Sequence, residues 1–223
     1  MKPEAIENMS LRDLAALNGL NSQLDDMLRR LTISTHEEFV ESVEIDLERI
    51  IRGLESGAAV REEDGEDRLT EEIINCLCQL SYIAAHDENY NGHSDVVVRW
   101  KQKEFVWIGE AKIHSGYDYL WDGFLQLTTR YSTGTNSCNH GGMLVYIRNV
   151  DANSVVHRWN EELNTRAFDD GEKVAAHVDS KNSLRLTSTH KHKKSGLPYV
   201  TRHFGVVLHV GPEDKSARNR KAK

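Results

Sequence analysis

The sequence predicts an α/β fold: a mixed sheet core in the order helix, three strands, helix, strand, flanked by helices. An N-terminal helical extension precedes the core and a C-terminal β-hairpin follows it. Three observations carry this expectation. Leucines at three- and four-residue intervals fill the first part of the chain, as one face of a helix requires. Between residues 82 and 113 the apolar pattern changes to short β-rich runs. Helical and strand patterns then alternate, as they do in mixed α/β domains. The 223 residues suffice for one domain plus an extension, and for a core that needs no disulfide or metal staple.

In chain order, Leu11, Leu14, Leu17, Leu20, Leu24, Leu28 and Leu31 form the first stripe, with Asn18-Gly19 as a break. Thr35-His36-Glu37-Glu38 has capping-box spacing, a hydroxyl at the cap and a carboxylate three residues on. It opens a second stripe of Phe39, Val43, Leu47, Ile50, Ile51 and Leu54, which Gly53 and Gly57 help to end. Residues 1–60 carry no cluster of catalytic residue types, so a packing role, a homodimer contact or docking of a partner protein is expected of them. The polar stretch Arg61–Asp67 leads to a third helix with Leu69, Ile73, Ile74, Leu77 and Leu80 on one side. Tyr82–Ala85, Asp95–Trp100 and Phe105–Ile113 read as strands, with Asn91-Gly92 turning before the second and Lys101–Glu104 before the third. A helix is expected over Tyr117–Tyr131, a loop over 132–142, a buried strand over Met143–Ile147 and a helix over Ser154–Thr165. A long hairpin of Leu184–His192 and Tyr199–Val210, turning at Lys193–Gly196, closes a domain spanning residues 61–212. The basic tail, 213–223, is expected to be disordered.

Composition excludes several classes. With 39% hydrophobic and 28% charged residues and three prolines, the chain reads as globular rather than disordered or fibrous. No apolar run approaches the roughly 20 residues of a membrane span. The acidic start, MKPEAIENMS, lacks the pattern of a secretory signal, and three cysteines are an odd number, so a cytoplasmic location is expected. The net charge of −7 conceals an asymmetry: residues 1–72 hold 8 Lys/Arg against 19 Asp/Glu, whereas 181–223 hold 11 against 2. Such polarity raises the question of a polyanion partner. A solvated basic tail is the alternative.

The chemistry-bearing constellation is Asp95, Glu110 and Lys112. Glu110 and Lys112 are two apart on a strand, so their side chains leave one face, and a hairpin between the second and third strands brings Asp95 beside Glu110. The two carboxylates and the backbone oxygen of Ala111 could hold a hard divalent cation such as Mg²⁺. Lys112 would then orient or deprotonate a metal-bound water, or stabilise charge growing on a phosphate oxygen. In outline this is a phosphodiesterase site. A buried structural ion pair is the alternative, because charges in a strand flanked by Val106, Trp107, Ile108 and Ile113 are costly unless paired or metal-bound.

Asp95, followed after fifteen residues by Glu110-Ala111-Lys112 on a strand, resembles the PD-(D/E)XK nuclease superfamily, the restriction-endonuclease-like fold. The resemblance covers roughly residues 62–165. One departure is Ser94, where the family often has Pro; the position reads as supporting a turn rather than as a ligand. The resemblance implies a further glutamate from the preceding helix. Glu66 shares the inward stripe with Leu69 and Ile73, and Glu71 and Glu72 are the other candidates; a solvated acidic first turn is the alternative for each. On the following helix Gln126 and Arg130 are four apart, with Tyr131 adjoining. Exonuclease-like branches of the superfamily carry Gln and, four residues later, Tyr, whereas this chain has Arg at that spacing and Tyr one later. An amide and a guanidinium there could grip a phosphate.

Weaker signals complete the inventory. Lys191, Lys193 and Lys194 at the hairpin turn could touch a phosphate backbone. Cys76 and Cys78 point to different helix faces, which argues against a zinc knuckle. The expectation is therefore an Mg²⁺-dependent deoxyribonuclease, with Mn²⁺ able to substitute and with restriction, repair or antiviral roles typical of the fold. RNA remains open as a substrate. The rival is a non-catalytic nucleic-acid-binding or protein-interaction module on the same fold.

Overall fold

The structure, a computed structural model, describes residues 10, 13, 22–87, 93–100 and 104–211. Most of the first leucine stripe, the Asn91-Gly92 turn, Lys101–Lys103 and the tail 213–223 lie outside the described residues. The chain divides into two compact units, Met1–Asp46 and Leu47–Lys223.

The first unit contains α1 (Ser22–Leu31) and the start of α2 (His36–Ser56). The capping box forms reciprocally: Thr35 Oγ1 accepts from Glu38 N at 3.2 Å, and Glu38 Oε2 accepts from Thr35 N at 3.3 Å and Ser34 N at 2.7 Å. Buried Asp46 accepts from Arg29 at 2.7 Å and Arg30 at 3.2 Å, which compensates its charge. The expected stripe of α2, from Phe39 to Leu54, is buried throughout.

The second unit is built on a seven-stranded mixed sheet. Its elements are α3 (Glu66–Gln79), β1 (Ile83–Asp87), β2 (Ser94–Arg99), β3 (Val106–Ile113), α4 (Tyr117–Leu125), β4 (His140–Ile147), α5 (Ala152–Thr165), β5 (Ala175–Val178), β6 (Arg185–Lys191) and β7 (Pro198–Val207). The strand order is β1-β2-β3-β4-β7-β6-β5. β3 pairs with β4, and β4 with β7, in parallel; the other neighbours are antiparallel. The three central strands are therefore parallel and buried, the arrangement that needs cover on both faces. On one face Leu120 and Phe124 of α4 and Val155, Val156 and Trp159 of α5 pack against Met143, Val145 and Ile147.

Five details correct the expected elements. The helix after β3 is α-helical only to Leu125; Gln126–Tyr131 is a π turn, closed by Ser132 N donating to Leu127 O at 3.2 Å. The Thr128 and Thr129 hydroxyls each take the carbonyl four residues back, at 2.7 Å, which accompanies the wider turn. β4 starts at His140, inside the segment expected as a loop. Its Gly141 and Gly142 look like turn residues, but the Trp107 ring covers Gly142 so closely that a Cβ there would lie 2.2 Å from it. β5, a four-residue edge strand, was too short to raise a pattern. Ser94 opens β2 rather than supporting a turn, and the hairpin of β6 and β7 is not peripheral, since β7 enters the sheet beside β4.

Candidate active site

The site forms where β2 and β3 separate. Their antiparallel ladder runs from Arg99↔Val106 to Val96↔Gly109. Beyond it, the amides of Ala111 and Ile113 still face the side on which β2 lies, because backbone groups two residues apart point the same way in a strand. Side chains take the place of the departing strand. Asp95 Oδ2 accepts from Ala111 N at 2.8 Å, and Glu66 Oε2 accepts from Ile113 N at 2.7 Å. Two carboxylates are thereby fixed at the end of β3 by charge-assisted backbone hydrogen bonds. Glu66 is the first residue of α3, which points this carboxylate at the strand.

Glu110 and Lys112 stand on the face of β3 covered by α4. Glu110 is 1% exposed and Lys112 7%. Lys112 Nζ donates to Glu110 Oε1 at 2.6 Å and lies 3.5 Å from Glu66 and 3.7 Å from Asp95. Three carboxylates converge on one ammonium, an excess of two negative charges when all are ionised. Burial, then the charge of Asp95, push the Glu110 carboxyl up to about 8, against the opposing pull of Lys112. Burial works to lower the Lys112 ammonium, but Glu110, Asp95 and Glu66 outweigh it and hold the group charged. Lys112 reaches this point past Gly123 of α4, where a Cβ would sit 2.9 Å from Lys112 Cγ and 3.0 Å from Cε. Glycine within a helix costs about 1 kcal/mol relative to alanine, and here it leaves room for the lysine stem.

The other two glutamates of α3 are engaged elsewhere. Glu72 pairs with Arg61 at 2.5 Å, and Glu71 lies 3.7 Å from His86. The π turn alters the expected register on the helix: its i→i+5 spacing sets Tyr131 one turn from Gln126, the relation Arg130 would hold in an α-helix. Tyr131 is buried, and its hydroxyl is pushed up by burial and then by the charge of Glu110. Arg130 is exposed, 6.0 Å over the Tyr131 ring. Lys191, Lys193 and Lys194 are exposed at the β6–β7 turn. Lys194 Nζ donates to Arg130 O at 3.1 Å, tying that turn to the π turn, and Lys193 lies 3.9 Å from Asp170.

Two residues of the site escaped the sequence reading. Tyr119 donates through Oη to both oxygens of Glu66, at 3.3 and 3.4 Å, and its ring lies 5.5 Å from Lys112 Nζ. Gly123 is the other, the residue that makes room for the Lys112 stem. Neither belongs to a spacing pattern; the only signal was their place on the helix that follows Lys112.

Among the described residues no three His, Cys, Asp or Glu side chains are grouped to hold a metal ion as they stand. Mg²⁺ keeps several waters and asks few ligands of a protein. Asp95, Glu110 and the carbonyl of Ala111 fit that demand on one observation: Glu110 Oε2 is enclosed and has no hydrogen-bond partner among the described residues. An enclosed, unsatisfied carboxylate oxygen is costly, and a cation would satisfy it. No helix among the described residues is long and apolar enough to cross a membrane. No protein-family model, curated protein or solved structure matches this chain.

Proposed function

We propose that the chain is a metal-dependent nuclease of the PD-(D/E)XK type, with a restriction-endonuclease-like core, that hydrolyses phosphodiester bonds in DNA. The observation that supports this most is the enclosed Glu110 carboxylate, with one oxygen unpartnered, in a group carrying more negative than positive charge. Asp95, Glu110 and the Ala111 carbonyl would hold Mg²⁺ or Mn²⁺. The bound ion supplies Lewis-acid polarisation of the phosphoryl group and a lowered pKa for the attacking water.

The chain's own residues do the rest. Lys112, kept protonated by its carboxylates, acts as a donor rather than a base. Its Nζ stabilises the phosphate oxygens on which negative charge grows as the P–O bond breaks. Glu66, pinned by Ile113 N and Tyr119, fixes the position of the ammonium. Tyr131 of the π turn lies within the field of Glu110 and Asp95, Gln126 opens the same turn, and Arg130 with Lys191 and Lys193 offers exposed cations for the duplex backbone.

A second reading rests on the same ion cluster. With Lys112 already at the meeting point of three carboxylates, the group could be a closed structural network on a non-catalytic binding module. Incubation with supercoiled plasmid, linear duplex, single-stranded DNA and RNA, in parallel with Mg²⁺, Mn²⁺ and EDTA, separates the two. Cleavage of DNA with either metal and none in EDTA is expected. Equal cleavage in EDTA, or no cleavage of any substrate, would overturn the nuclease.

A further inference from the structure

Beside Asp95 a cleft of about 600 Å³ opens between the first turns of α3 and the ends of β1 and β2. Arg68, His86, His93 and Ser94 line it, together with Asp67, Glu71 and Asp95 itself. Arg68 is exposed and makes no hydrogen bond or ion pair with any described residue; its charge only helps to lower the neighbouring Glu72 carboxyl. Glu71 lies 3.7 Å from His86. Ser94 is 2% exposed, and its hydroxyl is enclosed with no partner among the described residues. A buried hydroxyl without a partner costs on the order of 1–3 kcal/mol, so an acceptor supplied from outside would be favoured there.

We propose that this cleft is a phosphate-binding subsite for the nucleotide flanking the scissile bond, with Arg68 as its anchor and His93 and Ser94 as supporting donors. The proposal rests on the nuclease reading and deepens it. A guanidinium presents a planar fork that matches two phosphate oxygens. An imidazole N–H and a hydroxyl add donors in any protonation state. Asp95 belongs both to the cleft and to the carboxylate group, so a strand lying over the carboxylates continues into the cleft. The volume is that of a small-ligand pocket and accommodates a single nucleotide. The excess negative charge around Lys112 repels a phosphate until a cation is bound; a free guanidinium next to it supplies attraction that does not depend on the metal.

The test is DNA binding by the full chain in EDTA, read as anisotropy of a labelled duplex across a salt series. Arg68→Gln is expected to weaken binding about tenfold, the effect of losing a charged hydrogen bond. It should also lower the log–log salt slope by about 0.9, the effect of losing one phosphate contact. Arg68→Lys should keep most of the slope, and both variants should melt at the wild-type temperature because Arg68 is exposed. A nucleoside 5′-monophosphate should compete with the duplex where the nucleoside does not. Wild-type affinity and slope in Arg68→Gln, or equal competition by monophosphate and nucleoside, overturns the subsite. The nuclease reading is scored separately by cleavage of plasmid by the wild type. A chain that cuts while Arg68→Gln binds normally loses only the subsite. A chain that binds through Arg68 and never cuts loses only the nuclease. A wild type that neither binds nor cuts loses both.

Discussion

Glu110 Oε1 accepts a hydrogen bond from Lys112 Nζ at 2.6 Å, while Glu110 Oε2, enclosed beside it, has no partner among the described residues. The pair is therefore half satisfied: one oxygen is neutralised by Lys112 and the other awaits something the described residues do not provide. A structural salt bridge would be expected to fill both, since breaking or under-satisfying a buried pair costs several kcal/mol.

Asp95→Asn and Glu110→Gln are each expected to lower Mg²⁺-supported cleavage at least about a hundredfold, because each removes charge the cation needs. Asparagine still offers Ala111 N an oxygen, so the melting temperature of Asp95→Asn should stay within a few degrees of wild type. Calorimetry should show weaker Mg²⁺ and Mn²⁺ binding in both variants. Wild-type cleavage by either one would remove these residues from the site.

Lys112→Ala should lose most turnover and still bind metal and DNA. Glu110 sits at about 8 even against the pull of Lys112; a raised carboxyl favours the folded state when protonated, so in the wild type this contribution is intact below about 4.5 and is lost on the way up to about 8. Removing the ammonium pushes the buried carboxyl higher still, so in the variant the decline should run on to higher pH than in wild type. Thermal melts between pH 5 and 10 on both proteins should show the difference, and Mg²⁺ should raise the melting temperature of the variant more than that of wild type. A flat profile would mean that the Glu110 pocket is open to water.

Gly123→Ala tests the passage of the lysine stem. Alanine favours the helix by about 1 kcal/mol, yet its methyl would sit 2.9 Å from Lys112 Cγ. Cleavage is expected to fall tenfold or more with little change in melting temperature or in DNA affinity, the signature of a displaced ammonium. Wild-type turnover would show that Lys112 has other routes to its place.

Stability should fall in acid through two histidines whose rings pack against Phe124 of α4. Trp159 Nε1 donates to His203 Nδ1 at 3.1 Å, which fixes a neutral ring whose Nε2 meets Ser188 Oγ at 2.8 Å. Burial pulls His203 down to about 3 and His190 to about 4. Groups depressed in this way contribute fully above about 6.5 and lose their contribution as the pH falls towards the folded values, about 1.4 kcal/mol per pH unit for each group. Melting temperatures from pH 7.5 to 4 should drop steeply, and His203→Asn, which cannot charge, should flatten the curve. A wild-type slope in that variant would place the acid sensitivity elsewhere.

Lys191→Gln with Lys193→Gln should lower the salt slope of duplex binding by up to about 1.8, at about 0.9 per phosphate contact, with no preference among sequences. Lys194 belongs to a different category, since its ammonium already serves the Arg130 carbonyl. Its replacement should lower the melting temperature by loosening the π turn. An unchanged slope in the double variant would make the basic hairpin incidental to DNA.

The sequence made some of this legible and hid the rest for physical reasons. Strand and helix periods report which face of an element is buried, so α2, α3, β2 and β3 could be placed closely, and the α/β class with a mixed sheet followed. The letters Asp95, Glu110 and Lys112 were conspicuous because charges are costly inside an apolar strand. Tyr119, Gly123 and Arg68 were silent, because their roles depend on what other parts of the chain bring up to them. Gly141 and Gly142 misled, since glycine usually marks a turn and here it makes room for Trp107. The π turn was invisible because its threonines are compatible with either helix.

β7, the last strand of the described chain, lies in the middle of the sheet, between β4 and β6. Every carboxylate of the candidate site belongs to residues 66–110, which a ribosome completes long before it reaches Pro198. Until β7 emerges, β4 has an open edge and the strand that carries Glu110 and Lys112 rests on an unfinished neighbour. The order of synthesis therefore separates composition from alignment: a nascent or prematurely ended chain holds these carboxylates and lacks the strand that completes the sheet beneath them.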